Sequence, residues 1–223
     1  MKPVVVAIWL VVLLSIAASI IVYPSLPESV ASHWDAEGQV NGTMSRSLGA
    51  FLVPGMMVVL AVLFLAIPSI DPLNKNIDTF RNAYEGFVLF IMIFLLAVHA
   101  MTLLWNLGTK VSPNLFVPVA IGLLFIYLGY LLPKTKRNWF IGIRTPWTLS
   151  SDTVWEKTHK LGGKICVAVG VLALLGVFFS RTWIFILVPV LLFVVITMAY
   201  SYFLYVKESK SLKQSKYKQA RRN

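Results

Sequence analysis

The residues of this chain that could bind a metal ion lie in the segment "SHWDAEG". His33, Asp35 and Glu37 are spaced two apart, so their side chains would share one face of an extended strand. Three such ligands can hold zinc and leave one position for water. The segment also fits a solvated acidic loop that contacts a ligand. We favour the loop, because the sequence lacks the two-histidine helix motif of metalloproteases.

A second candidate is His99, which lies in the apolar stretch "LLAVHAMTLLW". An ionisable residue inside a membrane span is a candidate for proton transfer. A histidine that packs between helices with a backbone partner explains the same position, and we favour that interpretation. The sequence contains no nucleophile elbow, phosphate-binding loop or zinc helix motif. A binding protein is therefore the favoured class. The alternative, which rests on His99 and the metal interpretation above, is a small membrane transporter or a metal-dependent membrane enzyme.

The composition indicates a membrane protein. Of the 223 residues, 58% are hydrophobic and 13% are charged, whereas soluble domains carry about a quarter charged residues. The formal net charge of +11 lies mostly beside apolar runs, where it indicates membrane topology rather than nucleic-acid binding. The single cysteine, Cys166, lies in an apolar run and excludes an intramolecular disulfide.

Six apolar stretches approach the length of about twenty residues that a helix needs to cross the hydrocarbon. They cover about residues 4–23, 48–68, 85–107, 115–132, 164–179 and 182–206. We predict an all-α fold, a polytopic membrane bundle of six transmembrane helices, because lipid-facing backbone groups must be satisfied within each segment. The first stretch is longer than a signal-peptide core, so we interpret it as a retained span rather than one cleaved near Ala17.

The positions of Lys and Arg predict the orientation of the spans. With both termini in the cytoplasm, 17 of the 20 Lys and Arg residues lie inside, and only Arg46, Lys110 and Arg181 lie outside. We expect the tail to be disordered and to meet anionic lipids through its lysines. The predicted organisation is a membrane region at residues 1–114 with an extracytoplasmic loop at 24–47, a second at 115–206 with a cytoplasmic loop at 133–163, and a basic tail at 207–223.

The outside loop carries a hairpin signal. Asn41-Gly42 is typical of a tight turn, because both residues tolerate a positive φ. We predict a small hairpin on the outer surface, with Trp34 at the level of the headgroups. The candidate contact residues of this loop are His33, Trp34, Asp35, Gly38 and Gly42.

The inside loop contains the segment "NWFIGIRTPWTLSSDTVWEKTHK", which follows the basic cluster "KTKR". Its aromatic residues, Trp139 among them, suit the membrane interface. Arg144 is either an anchor that extends to the headgroups, or a planar fork held against a carboxylate, a lipid phosphate or a partner. As internal partner we expect Asp152 or Glu156.

The same loop has signals for local structure. Pro146 restricts Thr145 to an extended backbone, so the preceding helix has ended. Ser150 or Ser151 can cap a new short helix. We expect the glycine pair at residues 162–163 to end this helix before the fifth span.

Side chains of this short helix fall into two groups. Glu156 and Lys160 are four apart and predict an ion pair. Trp155 and His159 fall on one face, and His159 is interpreted as an interfacial packing residue rather than a base. The candidate functional residues of the inside loop are Asn138, Trp139, Gly142, Arg144, Thr145, Pro146, Trp147, Trp155 and His159.

These residues also carry a resemblance to a known family. "NWFIGIRTPWTLSSDTVWEKTHKLGGK" resembles the signature of the SdpI family, membrane proteins named for immunity to a sporulation-delay toxin. "LPESVASHWDAEGQVNG", with its order of Pro, His-Trp, Gly and Gly, is similar to a short N-terminal domain of unknown function that often accompanies that family. Together the two resemblances extend over about residues 4–179.

The resemblance implies a protein of the bacterial cytoplasmic membrane that protects its cell from a secreted antimicrobial peptide toxin. It also implies a signalling role, in which a transcriptional repressor is held at the membrane when toxin is present. On this basis the outside loop is the candidate toxin contact and the inside loop the cytoplasmic readout. We expect no enzymatic activity, cofactor, metal or nucleic-acid partner.

Overall fold

The computed structural model describes residues 2–220, apart from the side chains at 213, 215–218 and 220. This part contains one two-stranded antiparallel sheet and eight α-helices. The strands are β1 (Ser29–Trp34) and β2 (Val40–Ser45). The helices are α1 (Pro3–Val22), α2 (Arg46–Ile70), α3 (Asn74–Asp78), α4 (Arg81–Asn106), α5 (Pro113–Leu131), α6 (Pro146–Ser150), α7 (Asp152–Gly176) and α8 (Ile184–Ala220).

Six of the helices are long and apolar enough to cross a membrane, namely α1, α2, α4, α5, α7 and α8. The predicted six-helix membrane bundle is thereby confirmed. The two remaining helices have five residues each and lie in connections. The protein is therefore a multi-pass membrane protein in which the sheet is a small addition.

The helices pack in two groups of three. α1, α2 and α4 contact one another, α7 packs against both α5 and α8, and the contact between α4 and α5 joins the groups. The buried carboxylate of Glu85 accepts from Lys2 Nζ at 2.9 Å and from Arg81 Nε at 3.0 Å, which ties the starts of α1 and α4 together. We call this end of the bundle the loop face, and the end that carries the sheet the hairpin face.

Glycines allow α5 and α7 to approach closely. A Cβ at Gly129 would lie 2.8 Å from the carbonyl oxygen of Gly163, and a Cβ at Gly170 would lie 2.6 Å from that of Gly122. Both distances are too short for a real Cβ. Small residues that let two membrane helices meet backbone to backbone favour their association.

The prediction that the glycine pair at residues 162–163 ends a helix is wrong. α7 runs unbroken from Asp152 to Gly176. A Cβ at Gly162 would meet the side chain of Ile143 at 2.4 Å, and one at Gly163 would meet Pro133 at 2.6 Å. These glycines are therefore contact positions inside a helix, and the interfacial helix and the fifth span are one element.

The prediction of a disordered tail is also wrong for the described residues. α8 continues to Ala220 and so includes most of the tail. Lys, Gln and Ala form helices readily, and a helix that continues an existing one needs no new nucleus. Residues 221–223, and the lysine side chains at 213, 216 and 218 that we expect to meet anionic lipid, lie outside the described part.

Candidate functional site

The hairpin is fixed to the ends of α2 and α4 at the hairpin face. Asn106, the last residue of α4, accepts from the Ala31 N–H at 2.7 Å and donates to the Ala31 carbonyl at 3.1 Å. Val30 is buried against Gly49 of α2, where a Cβ would approach a Val30 methyl to 2.1 Å. The side chain of Asn106 thus satisfies both backbone hydrogen-bonding groups of Ala31.

The turn of the hairpin lies at residues 35–39 rather than at the predicted Asn41-Gly42. Asp35 Oδ1 accepts from the N–H of Glu37 and of Gln39, and Gly38 has a φ of 81°. Gly42 lies within β2 opposite His33, where a Cβ would come 3.0 Å from the His33 Cβ. The Asp35 side chain and Gly38 therefore define the turn, while Gly42 makes room for His33.

The metal interpretation of His33, Asp35 and Glu37 has no geometric support within residues 2–220. β1 ends at Trp34, so Asp35 and Glu37 belong to the turn and not to one face of a strand. His33 Nδ1 bonds Asn41 Oδ1. The described residues contain no group of three metal-ligating side chains.

The hairpin borders a cavity of about 330 Å³. His33, Trp34 and Asp35 line one side of it. The other sides come from α4, the start of α5 and the start of α8, with Trp183 and Ile186 among the lining residues. We call the hairpin turn and this cavity the hairpin site. It contains four of the five predicted contact residues, since His33, Trp34 and Asp35 line the cavity and Gly38 lies in the turn. The fifth, Gly42, lies within β2.

Trp34 packs into the protein more than a headgroup anchor would. Its ring meets that of Trp105 edge to face, with 5.5 Å between the centroids. Its indole Nε1 is buried and has no hydrogen-bond partner within the described residues. The indole donor beside the cavity is therefore available to a bound group.

At the loop face, residues 135–145 and α6 form a compact layer that we call the loop cap. Asn138 is fully buried at its centre. Its Oδ1 accepts from the N–H of Phe140 and of Ile141, and its Nδ2 donates to the carbonyls of Lys136 and Ile141, all at 2.6–2.9 Å. One side chain thus makes the hydrogen bonds that a loop without regular structure cannot make for itself.

Gly142 and His159 form the second contact of the loop cap. Gly142 has a φ of 122°, and a Cβ there would lie 2.4 Å from His159 Nε2. His159 Nε2 accepts from the Ile143 N–H at 2.8 Å, and its Nδ1 lies 2.8 Å from the Trp155 carbonyl. Because that N–H only donates and that carbonyl only accepts, His159 is neutral with its proton on Nδ1.

Trp155 completes this contact. Its ring stacks on that of His159 with 4.1 Å between centroids, which confirms that the two residues share a face. Its Nε1 donates to the Thr135 carbonyl at 3.1 Å. Both side chains are buried, so they hold the loop cap on α7 and present little surface to a partner.

Thr145 and Trp147 connect the loop cap to α8. Thr145 is extended and caps α6: its Oγ1 accepts from the Thr148 N–H, while Thr148 Oγ1 accepts from the Thr145 N–H. Thr145 Oγ1 also bonds Ser201 Oγ of α8 at 3.1 Å. Trp147, next to Pro146, packs edge to face on Tyr202 of α8. The predicted extended geometry before Pro146 is confirmed.

The predicted partner of Arg144 is wrong. Asp152 accepts from Arg137 Nε at 2.7 Å, and Glu156 pairs with Lys160 at 2.7 Å as its spacing predicts. Arg144 is exposed and donates to the carbonyl of Trp139. Arg137 also donates to the Leu149 carbonyl at 2.9 Å, so it is the arginine that ties the loop to α6 and α7.

Residues of the other helix group also hold the loop cap. The buried Asp71, just after α2, accepts from the N–H of Trp139 at 2.9 Å. Asn76 of α3 donates to the Arg137 carbonyl at 2.7 Å. The loop cap therefore contacts both helix groups.

His99 lies in a buried polar contact between the first three spans. Its Nε2 is 2.8 Å from Ser19 Oγ, which donates to the Ala50 carbonyl at 2.6 Å. The partner is thus a side chain and not the backbone group that we expected. Ser19, Ala50 and His99 come from α1, α2 and α4, so the contact ties three helices together.

Sequence reasoning missed several residues of both sites. Thr148 had a signal, because two threonines three apart at a helix start match a capping box. Asn106, Asp71 and Ser201 had none, since each acts on a residue far away in the chain. Their roles appear only after the helices are packed.

Two family models match the chain. Residues 134–201 match the SdpI/YfhL protein family, and residues 10–58 match a domain of unknown function, DUF1648. The first match contains the loop cap and the second contains the hairpin.

A curated protein is similar over nearly the whole chain. "Immunity protein SdpI" of Bacillus subtilis (strain 168) is 31% identical over 200 residues, which cover 89% of this chain and 94% of that protein. No solved structure matches the chain.

Proposed function

Because the chain belongs to the SdpI/YfhL protein family, we propose that it is a non-enzymatic immunity protein that protects a bacterial cell from a secreted antimicrobial peptide toxin. The observation that carries this proposal is the similarity to an immunity protein over 89% of the chain. A similarity of this extent includes both the hairpin and the loop cap. Separate family matches also contain the hairpin and the loop cap.

We place the protein in the cytoplasmic membrane with both termini inside, so that the hairpin site faces outward. The asymmetry of 17 inside against three outside Lys and Arg residues supports this orientation. Cysteines at Glu37 and Ser150, in a Cys166→Ala background, test it with a membrane-impermeant thiol reagent on whole cells. Only the Glu37→Cys protein should react, and reaction at Ser150→Cys on intact cells would reverse the orientation.

The hairpin site is the proposed toxin contact. In this orientation its cavity opens on the side from which a secreted peptide arrives. Trp34, Trp183 and Ile186 give it apolar walls, and His33 and Asp35 give it polar groups that could orient a ligand. Such a surface suits an apolar segment of a peptide better than a small polar solute.

The loop cap is the proposed cytoplasmic readout, where a transcriptional repressor would be held. α8 touches both sites: Ile186 lines the hairpin-site cavity, and Ser201 and Tyr202 contact the loop cap. A toxin that binds one arrangement of α8 more tightly than another would change the population of loop-cap arrangements.

A survival assay tests the immunity proposal. A toxin-sensitive strain expressing the full chain should survive candidate secreted peptides at concentrations that kill the strain carrying an empty vector. Trp34→Ala and Trp183→Ala should lose most of this protection at unchanged membrane levels. Thr43→Ala, an exposed position on β2 outside the cavity lining, is the matched control and should protect fully.

Two outcomes would count against these assignments. Failure of the wild-type protein to protect against every peptide tested, despite normal accumulation in the membrane, would remove the immunity function. Protection that survives both tryptophan substitutions would leave the function intact but move the toxin contact away from the hairpin site.

A further inference from the structure

An apolar cavity of about 350 Å³ lies beneath the loop cap. Five of the long helices contribute to its walls, with Phe64, Phe87, Leu128, Cys166 and Phe193 among the lining residues. Residues 140–143 of the loop cap close one end of it. Its volume lies in the range of about 300–1,000 Å³ that is usual for ligand sites.

The depth of the cavity limits what can enter it. Ile67 lies one turn before the end of α2, Tyr84 one turn after the start of α4, and Leu131 ends α5. The cavity is thus at the loop-face end of the spans, next to the headgroup region. The surrounding medium at this depth is the part of the acyl chains that adjoins the headgroups.

The helix packing suggests a lateral route into the cavity, between helices that line it without packing closely on one another. α2, α4 and α8 all line it. However, neither α2 nor α4 packs closely against α8, because the two helix groups meet mainly through α4 and α5. A hydrocarbon chain that enters between α8 and the first helix group would therefore not have to separate closely packed helices.

Arg144 follows directly after the loop-cap residues that line this cavity, and it is exposed. It follows Ile143, which lines the cavity, and it donates to the carbonyl of Trp139, next to the lining residue Phe140. Within residues 2–220 it forms no ion pair. Asp71 bonds the N–H of Trp139 and not the guanidinium. The remaining donors of its planar fork match the geometry of a phosphate.

We propose that this cavity binds one acyl chain of an anionic phospholipid, whose phosphate accepts hydrogen bonds from Arg144. The apolar walls fit the chain, and the arginine fits the phosphodiester. A zwitterionic headgroup would bring a second cation beside Arg144, so the site favours a headgroup without one. A peptide toxin arriving from outside would meet the hairpin face, at the opposite end of the bundle.

Native mass spectrometry of the full-length protein tests the headgroup preference. The protein is reconstituted in vesicles of equimolar phosphatidylglycerol and phosphatidylcholine and then released in mild detergent. We expect one phosphatidylglycerol to remain bound. Arg144→Gln should lower the ratio of retained phosphatidylglycerol to phosphatidylcholine by about tenfold, the effect of one charge-assisted contact. Arg181→Gln, at the hairpin face, is the matched control and should keep the wild-type ratio.

Photo-cross-linking of the wild-type protein locates the chain without depending on a variant. The probe is phosphatidylglycerol with a diazirine on one acyl chain. Peptides that contain Phe140 or Cys166 should be labelled more strongly than those around Phe178, which is exposed on the bundle surface. Uniform labelling of all apolar surfaces, or a lipid ratio unchanged by Arg144→Gln, would overturn the proposal. Displacement of the lipid by a toxin peptide at these residues would overturn the assignment of the occupant.

Discussion

The hairpin site and the loop cap differ in how many of their polar groups already form hydrogen bonds within the protein. Asn138 in the loop cap, and Trp155 and His159 of α7 against which it packs, are buried with their polar atoms satisfied within the protein. In the hairpin site, His33 is exposed and the Trp34 indole N–H has no partner within the described residues. The hairpin site therefore retains polar groups that can bind a ligand, whereas most polar groups of the loop cap are already paired.

This difference changes the interpretation of the two sequence motifs. Most candidate residues of the inside loop build the loop cap, and Arg144 and Trp139 are two of the few with large exposed side chains. Substitutions at the buried positions should therefore act first on stability and only then on function. Substitutions in the hairpin site should act on function at nearly constant stability.

The largest effect is expected at Asn138. Asn138→Leu keeps the side-chain size but leaves two N–H groups and two carbonyls without partners, so it should cost more than about 3 kcal/mol of unfolding free energy. Unfolding of the purified protein by denaturant in detergent measures this cost. Asn74→Leu, at an exposed asparagine on α3, is the control. Equal stability of the two variants would contradict the structural role of Asn138.

One glycine in each region allows a matched comparison of stability, with a smaller expected effect than at Asn138. Gly142→Ala should cost about 2–4 kcal/mol, because it adds a Cβ at a φ of 122° and at 2.4 Å from His159 Nε2. Gly42→Ala meets only the His33 Cβ at 3.0 Å, so it should cost less than about 1 kcal/mol. The same unfolding measurement compares them, and a larger loss at Gly42 would reverse the comparison.

The smallest effect separates the two arginines of the loop cap. Arg137→Ala should cost about 1 kcal/mol, because it removes a partly exposed ion pair with Asp152 and a hydrogen bond to Leu149. Arg144→Ala should cost about half as much or less, since one exposed hydrogen bond is lost. Thermal unfolding resolves the order. A greater loss at Arg144 would show that it, and not Arg137, locks the loop.

Much of the fold follows from signals that are local in the sequence. The six spans follow from length and apolar composition, and the extended Thr145 follows from Pro146. The Ser151 cap on α7, which accepts from the Val154 N–H at 3.2 Å, follows from residue type and position. Each of these features depends only on residues that are contiguous in the sequence.

The predictions that proved wrong rested on local signals that are compatible with two different structures. Glycine ends helices but also permits close contact, and at Gly162 and Gly163 the contact with Ile143 and Pro133 decides. Asn-Gly favours a turn, yet the Asp35 side chain and Gly38 form one earlier in the same segment. The bond between Asp71 and Trp139 spans 68 positions in the chain and leaves no local pattern at all.

The length of α8 has a mechanical consequence. A helix of 37 residues is about 55 Å long, and the hydrocarbon core is about 30 Å thick. Roughly 25 Å of continuous helix thus extends past the hydrocarbon, on the side of the loop cap. A tilt of about 10° at the membrane boundary would displace the far end by about 4 Å, a distance comparable to the width of a side chain. A small rearrangement around Ser201 would in this way move the basic end of α8 by several ångström.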